Sequence, residues 1–317
     1  MLKSDSVMSD RDRLIIAGVA GIAFLLLCIG LPLVIAIGAR DQIQAQLAGA
    51  LPAGDGTTRW VGIRMIELQD DILTQLNLPR TARVLITGVY PGSPAEQAGL
   101  EPFDVIVEVN GEPIVDLATA DDLLNRAKAG SQLTLAVLRL AASGQTQTRW
   151  ERKEVTVRPV PRPNPAQVSS WETYENPDFE FAIDYPANWL KDEMFQAFEA
   201  VVFSAPTLSD DLVEVRFWSD PNTSLDDFYQ QFIAQVRSSL AAARVESETT
   251  TTVANRSARR VVVSYRSTTR NRDMTDNVVL FLADDRWFLV RLSATRENYS
   301  QLLPIFDRML QSFRLTG

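Results

Sequence analysis

The sequence predicts an α+β fold class: an N-terminal transmembrane helix, a small β-barrel with flanking helices, then an α/β sandwich built on an antiparallel sheet. Three observations predict it. No residue from Leu14 to Ala39 is charged, short alternating strands surround one strong helix between Trp60 and Pro159, and further strands after Trp171 are interleaved with two amphipathic helices.

Composition bounds the function first. The 317 residues, 46% hydrophobic and 22% charged, have the balance of a globular protein with room for two or three domains. A net charge of -9 with scattered Lys and Arg argues against nucleic acid, which needs a clustered basic surface. The chain has no histidine, which removes a Ser-His-Asp triad in cis, the usual general base and most transition-metal sites together. Cys28 sits inside the apolar run, and beyond Lys153 the only lysine is Lys191, beside Trp189 and Asp192 with no serine near it in sequence. No catalytic residue, metal ligand or cofactor site is therefore expected.

The uncharged run "LIIAGVAGIAFLLLCIGLPLVIAIGA" spans roughly 39 Å as a helix, against about 30 Å of bilayer hydrocarbon. It is longer than the roughly 7–15-residue apolar region of a signal peptide, which favours an uncleaved anchor. Lys3, Arg11 and Arg13 precede it and only Arg40 follows closely, so the positive-inside rule puts residues 1–13 in the cytoplasm and everything after Arg40 outside. Residues 40–58, ending in "LPAGDGTT", read as a tether. Pro159, Pro161, Pro163 and Pro165 make 160–170 a semi-rigid, extended linker between domains at 59–159 and 171–317.

In the first domain, Val105, Val107 and Val109 alternate with Ile106 and Glu108 and end at the Asn110-Gly111 turn, the pattern of a half-buried strand. Thr119 and Asp122 read as a capping box ahead of Leu123, Leu124 and Ala127, with Gly130 as the stop. Pro91-Gly92 and Ser93-Pro94 are turn chemistry, followed by the small residues Ala95, Ala98 and Gly99.

In that order, "GVYPGSPAEQAGL", "DVIVEVNGEPI" and "LTLAVLR" resemble a PDZ domain of the bacterial HtrA-type arrangement. The resemblance implies a site in which main-chain N–H groups hold the free carboxylate of a ligand chain. Trp60-Val61-Gly62-Ile63 matches the family's aromatic-apolar-Gly-apolar loop, Arg64 to Ile66 would pair with the incoming peptide, and Ile63, Met65, Leu123 and Ala127 would line the pocket for its last side chain. For Ile63 and Leu123 plain core packing is an equal reading. Phe103 stands before Asp104 where the family has glycine. The family's protease domain would precede this module, where an anchor and a tether are expected here.

In the second domain, "FEFAIDYP" places Phe179, Phe181, Ile183 and Tyr185 on one face, and "LVEVRFW" repeats the alternation. Ser224 and Asp227 box the start of a helix carrying Leu225, Phe228, Phe232, Val236 and Leu240, and Asp284-Asp285 joins two strands as a hairpin. Leu302, Phe306, Met309, Leu310 and Phe313 form the stripe of a closing helix, with Pro304 near its first turn. The opening "YENPDFEFAIDYPANW" and closing "FDRMLQSFRL" resemble the PsbP-like family, which implies a non-catalytic auxiliary domain outside the cytoplasm. The paired carboxylates Asp121-Asp122, Asp210-Asp211 and Asp226-Asp227 read as caps and solvated turns, and the arginines between Arg256 and Arg272 as a sheet face balanced by acids.

The expected protein is a single-pass, membrane-anchored, extracytoplasmic adaptor or scaffold of bacterial type, not an enzyme. Its expected partners are protein C-termini or extended peptides, the membrane through its N-terminal helix, and an envelope protease or membrane complex, with no nucleic acid. The alternative is a substrate-recruiting subunit of a protease system whose catalytic domain is on another chain.

Overall fold

The computed structural model of the protein describes residues 59–126, 131–143, 147–193, 199–207, 211–220, 222–268 and 271–317. The membrane helix expected at 14–39 and the tether lie outside them, and no helix among the described residues is long and apolar enough to cross a membrane.

The first domain runs β1 (Arg59–Trp60), β2 (Ile63–Glu67), α1 (Asp70–Gln75), β3 (Val84–Val89), α2 (Pro94–Gln97), β4 (Val105–Val109), β5 (Glu112–Pro113), α3 (Leu117–Arg126), β6 (Leu133–Ser143), β7 (Gln147–Val157) and β8 (Val160–Pro161). Its antiparallel sheet has the order β2-β3-β4-β6-β7, with β5 on β4. The barrel expected from the sequence is not closed: β2 and β7 end the sheet and do not pair. Helix α3 takes the place of closure, because its Leu117, Ala120, Leu123 and Leu124 share one core with Ile63 and Met65 of β2 and Val155 and Val157 of β7. Alternation along the strands sends Ile66, Leu85 and Val105 to the opposite face, where Leu73 of α1 and Phe103 join them.

Local chemistry sets the ends of these elements. Asn110 (φ 52°) and Gly111 (φ 81°) form the expected tight turn between β4 and β5, both in the left-handed region that a primed hairpin turn requires. Helix α3 starts before the predicted box: Asp116 accepts the Thr119 N–H at 2.7 Å, so Asp116 is the cap and Thr119 lies in the first turn. Phe103 adopts φ 73°, the conformation for which glycine is suited, and the ring's place in the α1 cluster opposes that strain.

The second domain runs β9 (Trp171–Asn176), β10 (Phe181–Pro186), β11 (Leu190–Asp192), β12 (Ala200–Ser204), β13 (Leu212–Ser219), α4 (Leu225–Ser239), β14 (Arg244–Val253), β15 (Arg256–Ser267), β16 (Arg272–Ala283), β17 (Arg286–Thr295), α5 (Arg296–Ser312) and β18 (Arg314–Leu315). A seven-stranded antiparallel sheet, β11-β12-β13-β17-β16-β15-β14, carries a helix on each face. On one face Leu302, Phe306 and Met309 of α5 pack on Phe281, Phe288 and Val290. The other face takes Phe232, Ile233 and Val236 of α4 against Val261, Val263 and Leu280. A smaller sheet, β18-β10-β9, joins the α5 side through Phe181 and Ile183.

Ser224 caps α4 as expected, accepting the Asp227 N–H at 3.2 Å while its hydroxyl donates to Asp227 Oδ2 at 2.6 Å. Pro304 lies inside α5, not near its first turn, because the helix begins at Arg296, upstream of the apolar stripe. The segment expected as a spacer is tied down where it leaves the first domain: β8 pairs with β1, Trp60 opposite Val160. A proline at Pro161 is compatible with that place, since a two-strand ribbon leaves an edge where no N–H is needed.

Candidate peptide-binding site

Residues Trp60 to Glu67 form the centre of the site. Gly62 turns the chain from β1 into β2 at φ +87°, and a Cβ there would stand 2.1 Å from Cβ of Ser93. Only glycine fits both the dihedral and the space. The Tyr90 N–H donates to the Gly62 carbonyl at 2.9 Å, which makes Ile63 and Val89 a non-hydrogen-bonded pair and turns the main-chain groups of Ile63 away from β3. Among the described residues no main-chain acceptor takes the N–H of Val61 or Gly62. Beside this loop lies the outer edge of β2, which has no strand partner among the described residues.

Alternation along β2 divides its side chains. Ile63 and Met65 pack beside Leu123 of α3 on the core face. Arg64 points to the other face, where its Nη1 donates to Ser204 Oγ at 3.0 Å and its Nη2 pairs with Asp192, both in the second domain. At the far end the Leu117 N–H donates to Glu67 Oε2 at 3.2 Å, bridging β2 to the start of α3. The stretch of β2 open beside the helix is thus roughly 16 Å long at about 3.3 Å per residue, room for about five residues of an extended chain. At the loop end, Arg59 Nη1 donates to the Asn125 carbonyl at the C-terminus of α3 at 3.4 Å.

Of the residues singled out in the sequence, Val61, Ile63 and Met65 share one core with Leu123, while Trp60 and Arg64 face the second domain. Ala127 lies outside the described residues. Val61 and Leu123 are buried core members, and Trp60 is buried against Tyr90, ring centroids 5.8 Å apart, and Leu190. Tyr90, Leu190 and Asp192 escaped the sequence reading because they meet across about a hundred residues of chain. One signal was present: Gly88 interrupts the β3 pattern "VLITGVY", and a glycine inside a strand marks a close approach. Leu190 fills that space, 2.4 Å from where a Gly88 Cβ would sit.

The paired carboxylates are structural. Asp211 accepts the Thr295 N–H at 2.7 Å and the Asn298 amide at 2.6 Å at the start of α5, Asp122 pairs with Arg126, and Asp226 pairs with Arg259. Asp210 lies outside the described residues. Arg256, Arg259, Arg260 and Arg266 each bond an aspartate at 2.6–3.1 Å; the cluster is balanced by acids as expected, but it divides between the two faces of the sheet, Arg259 reaching Asp226 of α4 and Arg260 reaching Asp307 of α5.

This geometry agrees with two family profiles: that of the PDZ domain matches residues 85–139, and that of PsbP matches residues 169–315. The chain carries a PDZ domain followed by a PsbP-like domain. A probable periplasmic serine endoprotease, DegP-like, from Hahella chejuensis is 30% identical over 122 residues, covering 38% of this chain and 24% of that protein. The chain thus spans about a quarter of the length of the curated DegP-like relatives it matches. Among solved structures, the HtrA-type protease AlgW with a decapeptide is 25% identical over 34% of this chain and 30% of its own, TM-score 0.28. Cyanobacterial PsbP from Synechocystis sp. is 14% identical over 47% of this chain and 94% of its own, TM-score 0.37. Neither profile is that of a protease domain; the PDZ match begins within β3, and the Gly62 loop precedes it.

Proposed function

We propose that the protein is a non-catalytic adaptor whose PDZ domain captures the C-terminal or extended segment of another protein along β2. The observation that carries this reading is the juxtaposition of an unpaired strand edge with a glycine loop whose Val61 and Gly62 N–H groups have no main-chain acceptor among the described residues. A chain end laid antiparallel to β2 would bond its main chain to that edge and direct its carboxylate to the loop. Trp60, Val61, Gly62 and Ile63 form the loop in this reading, Arg64 supplies main chain, and Met65, Leu123 and Ala127 border the side-chain pocket. The uncharged run 14–39 would anchor the protein in the cell membrane, N-terminus cytoplasmic, with both domains extracytoplasmic. The domain boundaries proposed are 59–159 and 171–317, joined by residues 160–170.

A second reading, a substrate-recruiting subunit for a protease on another chain, is favoured by the name "periplasmic serine endoprotease" carried by its DegP-like relatives. The test is a screen of the purified full chain against a library of peptides with free C-termini, with Met65→Glu as the control. A Gly62 variant is a poorer control, since any side chain there strikes Ser93. Selective capture lost in Met65→Glu is the expected result; capture indifferent to the substitution would refute the groove. Recovery of a hydrolase with the peptide-bound protein would favour the second reading.

A further inference from the structure

We infer that the PsbP-like domain positions the peptide site, with Leu190 and Asp192 as positioning residues acting through the outer face of β2 and the Gly62 loop. The inference rests on the reading of β2 as the peptide-accepting strand. Three contacts carry it. The first is apolar: Trp60, the first residue of the loop, is buried with Tyr90 and Leu190, and Leu190 of β11 enters the space left by the missing side chain of Gly88 in β3. The second is polar: Arg64, placed between the two core-facing residues of β2, reaches Asp192 and Ser204, and Tyr90 Oη donates to the Ala205 carbonyl at 3.1 Å. The third is the connection itself, since β8 pairs with β1 and Arg162 Nη1 donates to the Thr207 carbonyl at 3.2 Å.

The Arg64 contacts fall on the face of β2 opposite Ile63 and Met65, and the others are made by the neighbouring β1 and β3 and by Tyr90, so the docked domain holds the strand without occupying the groove. An edge strand secured on only one side is prone to local opening, and each residue ordered in advance is one that a ligand need not order on binding. The PsbP-like domain therefore acts as a brace that keeps the site ready.

The experiment is amide hydrogen exchange on the full chain with no peptide present, comparing wild type with Asp192→Asn and with Gly88→Leu. The first variant removes the charge clasped by Arg64; the second inserts a wedge from the PDZ side, at a strand position with an ordinary φ. Both are expected to speed exchange by at least about ten-fold at the N–H groups that hold the two ends of β2 to β3, Tyr90 on the Gly62 carbonyl and Leu68 on the Arg83 carbonyl, the size of a local-stability loss of about 1.4 kcal/mol. Exchange within β16 and β17 is expected to stay at the wild-type rate, which shows that the second domain remains folded. Should Asp192→Asn disturb β11 itself, Gly88→Leu poses the same question without changing any residue of the PsbP-like domain. Unchanged rates at the Tyr90 and Leu68 amides in Gly88→Leu would overturn the brace. Because no ligand is added, this outcome is independent of whether the groove takes chain ends.

Discussion

The two domains use their helices in different ways. In the PsbP-like domain each face of the long sheet has its own helix, α5 on the aromatic side and α4 on the other, and the sheet is a finished three-layer body. In the PDZ domain α3 both covers the sheet and walls the space beside β2, so one strand edge is left beside a helix. A sheet sealed on both faces derives its stability from burial. The open edge retains main-chain groups for a partner, and here it is steadied from outside by the sealed domain. The difference predicts that damage to the second core is costly in stability while damage to the loop is costly in function.

The largest effect expected is at the aromatic centre of the second domain. Phe288 is fully buried and stands 5.1–5.4 Å, centroid to centroid, from Phe181, Phe281 and Phe313. Phe288→Ala should cost about 3–5 kcal/mol by denaturant unfolding, with the loss in the PsbP-like transition. An equal loss in the PDZ transition would show that the two bodies are not separable.

The loop gives a smaller effect with a built-in comparison. Gly62→Ala places a Cβ at φ +87° and against Ser93, and should cost about 2 kcal/mol or more. Gly111→Ala has a similar φ of +81° but nothing within 4 Å of the new Cβ, so it should cost only the backbone strain, about 1 kcal/mol. Equal costs would mean that Ser93 yields and that the close approach at Gly62 is not a constraint.

The smallest effect is set by pH. The Thr119 hydroxyl and N–H hold Asp116 below its ordinary value of 3.8. A carboxylate with a depressed folded pKa contributes stability that is present above the unfolded value and lost as pH falls through the folded one. The stability difference between wild type and Asp116→Ala should therefore be steady from neutral pH to about 5 and shrink on acidification below about 4. A difference that persists at pH 2 would assign the effect to packing, not to the cap.

Much of this architecture is legible in the residues because it depends on local periodicity and turn chemistry. The Asn110-Gly111 turn, the Ser224 cap and the stripe from Leu302 to Phe313 each speak within a few residues. The strand at Val105–Val109 is legible too, but its expected alternation is not kept: a register shift after Ile106 puts Val109 with Ile106 in the α3 core, while Val105 and Val107 face α1. The candidate loop was legible for the same reason, as Gly62 sits in a contiguous pattern. The start of α3 was misplaced because Asp116 and Thr119 are both capping types, and the choice between them depends on where Leu117 must pack. Closure of the sheet was misjudged because the strand pattern is the same for an open sheet and a barrel; only the position of α3 decides. The docking of Leu190 and Asp192 was illegible, since pairing across domains leaves no period in the chain, and Gly88 was its single trace.

The central claim is that main-chain amides around Gly62 receive a chain end, and it is tested most directly by titrating the full chain with one captured peptide as a free acid and again as its C-terminal amide, reading the amide resonances of residues 61–67. The free acid should shift Val61, Gly62 and Ile63 and bind at least about ten-fold more tightly, about 1.4 kcal/mol, than the amide. Equal affinity for the two forms, or shifts confined to other parts of the molecule, would contradict it.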